Sequence, residues 1–238
     1  MYKNIKEWRD NMKYEDEKFI IYYNECDKEY INLLVKTINQ RSPFICDFFG
    51  IVYNEKIVIK LYNNLDEYKI NIENSFKKEA EIESINKKKK VDPRLYENWM
   101  IANTEDGNIN MQSLDLVKKQ DDYKKYTVLE FCYNTCHEFT HLCQQYLNSE
   151  NPGWFWEVIA TNIGNPEVQH ECNDSFTLKD LNEKFDKIDG YGIAYSFGKF
   201  IFENYDRNTI LSWIKDNEKF KKEIESAIDK YNSSQLRR

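Results

Sequence analysis

Glycine and proline are scarce in this chain of 238 residues, at seven and four copies. A strand-rich sandwich uses turn residues far more often, so long helices joined by short turns are expected. No apolar run approaches the roughly 20 residues needed to cross a bilayer, and no membrane partner is expected. The first residues, Met1-Tyr2-Lys3-Asn4-Ile5-Lys6-Glu7-Trp8, lack the apolar core of a signal peptide, which makes the cytoplasm the expected compartment. Cations are in deficit. The 34 Lys and Arg against 41 Asp and Glu leave a net charge of −7, which argues against a nucleic-acid partner. Six cysteines are too few and too dispersed for a disulfide scaffold of this size. Histidine is rarer still, at three copies, and two of the three share one pentapeptide.

That pentapeptide is His137-Glu138-Phe139-Thr140-His141, an H-E-x-x-H pattern. On a helix, positions i and i+4 lie one above the other on the same face. Two imidazoles so placed can share one Zn2+ ion, and the glutamate beside the first can handle the proton of an attacking water. Cys132, Cys136 and Cys143 follow the same helix at i, i+4 and i+11 and read as small buried apolar residues.

The rest of the chain reads as scaffolding. Phe19, Tyr23, Cys26, Tyr30, Leu33 and Ile38 recur at spacings of three to five, predicting an amphipathic helix over 15–39 that Ser42-Pro43 stops. Residues 51–53 and 57–62 are rich in β-branched side chains and predict strands. Helical spacing returns over 65–84, followed by Lys87-Lys88-Lys89-Lys90, a solvated run or one that attracts an acidic partner. Residues 99–102 and 108–111 flank Glu105-Asp106-Gly107 and predict a hairpin, one strand of which can lie at a sheet edge and accept a peptide. A long helix is expected over 121–147, a reversal at Asn151-Pro152-Gly153, and a second helix over 154–164. Residues 208–231 predict two further helices, with a frayed tail from Ser233.

A catalytic zinc site wants a third protein ligand. Glu157, His170, Glu171 and Asp189 are the downstream candidates. Glu157 lies just past the reversal among Trp154, Phe155, Trp156, Val158 and Ile159, where a lone carboxylate is costly to bury unless paired or metal-bound. His170 is its main rival.

His137-Glu138-x-x-His141 followed by Trp154-x-x-Glu157-x-x-Ala160 resembles the gluzincin metallopeptidases, and more closely the small bacterial peptidase-MA-like domains. The segments 56–68 and 191–201 resemble their early strand-and-helix entry and their site-closing helix, so the likeness spans roughly residues 51–216. Val158 stands where many relatives have glycine, and the gap from His141 to Glu157 is shorter than in the large aminopeptidases. The resemblance implies an α+β, mostly helical, zincin-like fold with a small mixed or antiparallel sheet packed on the H-E-x-x-H helix. Residues 51–232 would form that domain, with residues 1–50 as a helical segment packed on it. It implies zinc held by His137, His141 and Glu157, Glu138 as general base, and a peptide or protein substrate. It also implies a tyrosine on the closing helix, Tyr195 or Tyr191, that stabilises the oxyanion. The competing expectation is a zinc-bearing binding module that cleaves nothing, or serves a single partner.

Overall fold

The computed structural model describes residues 12–148, 150–165 and 170–236. It is mostly helical, with one small mixed sheet of five strands, in keeping with an α+β chain. The chain divides into two units, each made of two pieces of sequence.

The first unit takes residues up to Lys36 and then Tyr53–Phe131. It holds the sheet: β1 (Met12–Glu15), β2 (Phe19–Tyr23), β3 (Ile57–Tyr62), β4 (Ala102–Glu105) and β5 (Asn108–Gln112), in the order β1-β2-β3-β5-β4. The pairs β2–β3 and β3–β5 are parallel, and the two edge pairs are antiparallel. Parallel neighbours need a long crossover. Helix α1 (Lys28–Phe49) supplies the first and α2 (Leu65–Lys87) the second. Asn64 starts α2 by accepting from the N–H groups of Asp66 and Glu67 at 2.9 and 3.3 Å. Tyr68, Ile72 and Phe76 of α2 then close over Tyr62 and Met100. Phe19, Ile21, Ile57, Ile59, Leu61, Ile109 and Met111 are also buried. A short helix α3 (Leu114–Val117) follows β5.

Three expectations fail here. Residues 19–23 form a strand instead of a helix. Five aromatic and β-branched residues in a row suit a pleated ladder, and the buried Phe19 and Ile21 also fit a period of two. Helix α1 begins only at Lys28 and runs through Pro43. An interior proline costs about 3 kcal/mol, yet Ile38, Ile45 and Phe49, all buried, carry the helix past it. Its true stop is Gly50 at φ 66°, where the Ile51 N–H reaches the Cys46 carbonyl and the Gly50 N–H reaches that of Asp47, both at 3.1 Å. Residues 51–53 leave this turn without forming a strand, and Val52 is exposed. The hairpin is present but shifted. Asp106 and Gly107 are both left-handed, a two-residue turn that leaves Thr104 and Glu105 free to pair.

The second unit takes Thr37–Val52 and the chain from Cys132 onward. Its helices are the end of α1, most of α4 (Val128–Leu147), α5 (Gly153–Ile163), α6 (Leu178–Lys184), α7 (Gly190–Asn204), α8 (Arg207–Lys215) and α9 (Asn217–Gln235). Helix α4 starts at 128 and not at 121. Thr127 and Glu130 cap each other's N–H groups, a reciprocal box that fixes the first turn. Helix α9 continues to Gln235, three residues into the stretch expected to fray, because Tyr231 and Ala227 are buried and hold its last turns. Helices α5 and α7 meet closely at Gly198, where an added Cβ would stand 1.9 Å from Asn162 Nδ2 and 2.9 Å from the Val158 oxygen. Asn162 Nδ2 donates to the Val158 and Ala194 carbonyls, both at 2.9 Å, tying the two helices. Two arginines close helix ends that would otherwise leave carbonyls unpaired. Arg41 donates twice to the Ile163 oxygen at the end of α5. Arg207 donates to the Asp47 and Phe48 oxygens at the end of α1.

Candidate metal centre

Helix α4 carries His137, Glu138 and His141, all buried, and one ligand atom from each lies within 4.8 Å of the others. The imidazoles are stacked edge to face, with centroids 4.6 Å apart. The reversal at 151–153 brings α5 back, and its Glu157 enters the same nest. Glu157 Oε2 lies 3.1 Å from His137 Nε2, and Oε1 lies 3.4 Å from His141 Nε2. Of the two carboxylates, Glu157 is the one that meets both ring nitrogens.

The donor set fits a metal ion. Bonds of about 2.0–2.1 Å in a tetrahedral array place ligand atoms about 3.3–3.4 Å apart. The two observed contacts bracket that spacing. Glu157 Oε2 is buried and accepts no hydrogen bond of good geometry, although His137 Nε2 is so near. His141 Nδ1 lies 3.0 Å from Gln144 Oε1. An amide oxygen can only accept, so Nδ1 carries a hydrogen, which leaves Nε2 as the nitrogen that can give a lone pair to a metal once its own proton is released. Gln144 Nε2 in turn reaches the Trp156 carbonyl on α5 at 3.4 Å, and the Trp156 ring stacks on His141 at 5.9 Å.

The electrostatics separate the two carboxylates. Burial raises the Glu138 carboxyl above its ordinary range, and the two imidazoles offset this only in part. Burial acts on Glu157 too, but His141 and His137 overcome it and hold that carboxyl well below the usual range. Burial disfavours charge on His141, yet Glu157 outweighs it and lifts the imidazole to about 9.

The remaining candidates lie elsewhere. His170 pairs with Asp189, its Nε2 at 2.9 Å from Oδ2, at the start of α7, and both side chains are exposed. Glu171 pairs with Lys199 at 3.6 Å. Tyr191 is exposed with its ring against Phe185. Tyr195 borders a small hollow shared with Glu171, Lys199, Phe200 and Tyr231, none of which belongs to the histidine cluster. Cys132 and Cys136 are buried free thiols pushed up to about 12 by that burial, which disfavours the thiolate a metal needs.

Two residues of the centre escape sequence reading. Gln144 stands three residues after His141, so its spacing was a usable signal. Gly164 reads as a simple helix stop. In the fold it lets α5 touch the motif helix, where an added Cβ would stand 2.6 Å from His137 Cα and 2.7 Å from the Cys136 oxygen. Comparison of the chain with models of known families, with curated proteins and with solved structures finds no match.

Proposed function

We propose that the chain is a zinc-dependent peptidase of gluzincin type on a zincin-like plan, with His137, His141 and Glu157 as metal ligands and Glu138 as general base. One observation carries this reading: a carboxylate from a separate helix lies within 3.4 Å of both H-E-x-x-H ring nitrogens, with a buried oxygen that lacks a donor. Zinc at such a site supplies Lewis acidity that polarises a carbonyl and makes water a better nucleophile at neutral pH. Glu138 takes the proton of the attacking water and delivers it to the leaving amine. Its raised affinity for protons suits a group that must gain and then release one. Gln144 keeps His141 in the ligating tautomer, and the stacked Trp156 limits rotation of the ring. Tyr195 or Tyr191 would donate to the oxyanion if α7 shifts on substrate binding.

The test is direct. Protein purified without added zinc is analysed for metal, and wild type and Glu138→Gln are incubated with a denatured-protein or peptide library. Near-stoichiometric zinc in both, with cleavage by wild type alone, is expected. Metal with no turnover by either would favour the non-cleaving module, and absence of metal would defeat both.

A further inference from the structure

The lysine run that follows α2 takes no part in the histidine cluster. Helix α2 ends at a left-handed Lys88, φ 51°, whose N–H and that of Lys89 fold back onto the Ile85 and Ser84 carbonyls. This turn fans Lys87, Lys88, Lys89 and Lys90 around the helix tip, all exposed. Lys87 pairs with Glu83 and Lys90 with Asp92, while Lys88 and Lys89 have no carboxylate within ion-pair distance among the described residues. Just before the turn, Ile82 and Ile85 share one strip of the helix and are 60% and 75% exposed. The chain beyond the lysines returns along another side of α2. Val91 N–H meets Ser84 Oγ at 2.8 Å, and Arg94 pairs with Glu79 and lies 4.3 Å over the Phe76 ring. Among the described residues the isoleucine strip stays largely bare.

A basic tip on a chain of net charge −7, with a bare aliphatic pair beside it, has a definite chemical complement. Phosphate headgroups attract the ammonium groups, and the acyl boundary takes the aliphatic side chains. The free cations are lysines, compact point charges that tolerate mobile headgroups. A fixed carboxylate on a folded partner would favour the planar fork of arginine, and the one arginine here is already engaged. We propose that this tip, Ile82 and Ile85 with Lys87–Lys90, docks the protein peripherally on an anionic lipid surface. The proposal departs from the expectation of no membrane partner, and it is compatible with the absence of a bilayer-crossing helix among the described residues.

The experiment is sedimentation of the full chain with phosphatidylcholine vesicles, with and without roughly 30% phosphatidylglycerol, at about 0.1 M and about 0.5 M salt. Binding to the anionic vesicles alone, lost at high salt, is expected. A lysine near such a surface changes partitioning about fivefold, so Lys88→Gln with Lys89→Gln should weaken binding about 25-fold. Ile82→Ser with Ile85→Ser should also weaken it and leave the unfolding temperature nearly unchanged, since both side chains are mostly exposed already. Equal binding to neutral vesicles, no binding to either, or full binding by the lysine variant would overturn the proposal. Capture of polyglutamate without vesicle binding would overturn it in favour of an acidic polypeptide.

Discussion

Glu138 and Glu157 both feel the charge of the same pair of imidazoles, and their surroundings push them in opposite directions. That divergence is how one nest supplies both a ligand that stays ionised and a base that accepts a proton. The two glutamates should therefore fail differently. Glu157→Gln should lower zinc affinity by about 100-fold or more, exceeding the usual loss for an outer-shell residue; a competitive chelator titration measures it. Glu138→Gln should keep the metal and lose about 10²–10⁴-fold in cleavage rate. Gln144→Leu removes the acceptor that fixes the His141 tautomer and should weaken zinc about 10–100-fold with little change in fold, read by the same titration and by circular dichroism. Acidity adds a further check. His141 in the metal-free nest is raised from 6.5 to about 9. A raised pKa contributes stability that is full below the unfolded value and lost as pH climbs through the folded one. Chelated protein should thus lose stability between pH 6.5 and 9, where the zinc form faces less proton competition and binds more tightly. The gap between the two unfolding temperatures should widen over that window, and a narrowing gap would contradict the assignment.

Among the elements, those with chemical start and stop signals were legible. Asn64 before α2 acts through a local hydrogen bond, the Asp106-Gly107 turn through left-handed backbone and Pro152 before α5 through its fixed φ of −65°, all of which a sequence states outright. The failures came from competing signals. Pro43 reads as a stop because a proline usually is one, while the burial that carries α1 past it depends on contacts that local patterning does not reveal. Phe19 and Tyr23 satisfied a helical spacing and a strand alternation alike. At the centre, the H-E-x-x-H pair was readable because its spacing is internal to one helix. Glu157 was readable because a carboxylate among aromatics is conspicuous. The close approaches at Gly164 and Gly198 were not, since they concern which backbone lies opposite. Each has a mutational consequence. Gly198→Ala should cost about 1–3 kcal/mol by forcing α7 off α5, with a lowered denaturation midpoint. Gly164→Ala meets backbone of the motif helix itself and should lower zinc affinity along with stability.

For the molecule as a whole, the division of the sequence matters more than the size of either unit. Residues 37–52 belong with the chain from Cys132 onward, and Tyr53–Phe131 intervenes. Arg41 holds the end of α5, and Arg207 holds the end of α1, so the early piece and the late piece complete each other's helix ends. On a ribosome this sets an order of events. At about 5–20 residues per second, the 79 residues from 53 to 131 take on the order of 4–16 s to be made. During that interval the end of α1 waits for the late piece whose Arg207 and Ile163 carbonyl it pairs with. The end of α1 is therefore a natural client for a chaperone at the exit tunnel, and the Asp47 and Phe48 carbonyls should gain their partner only once α8 has emerged.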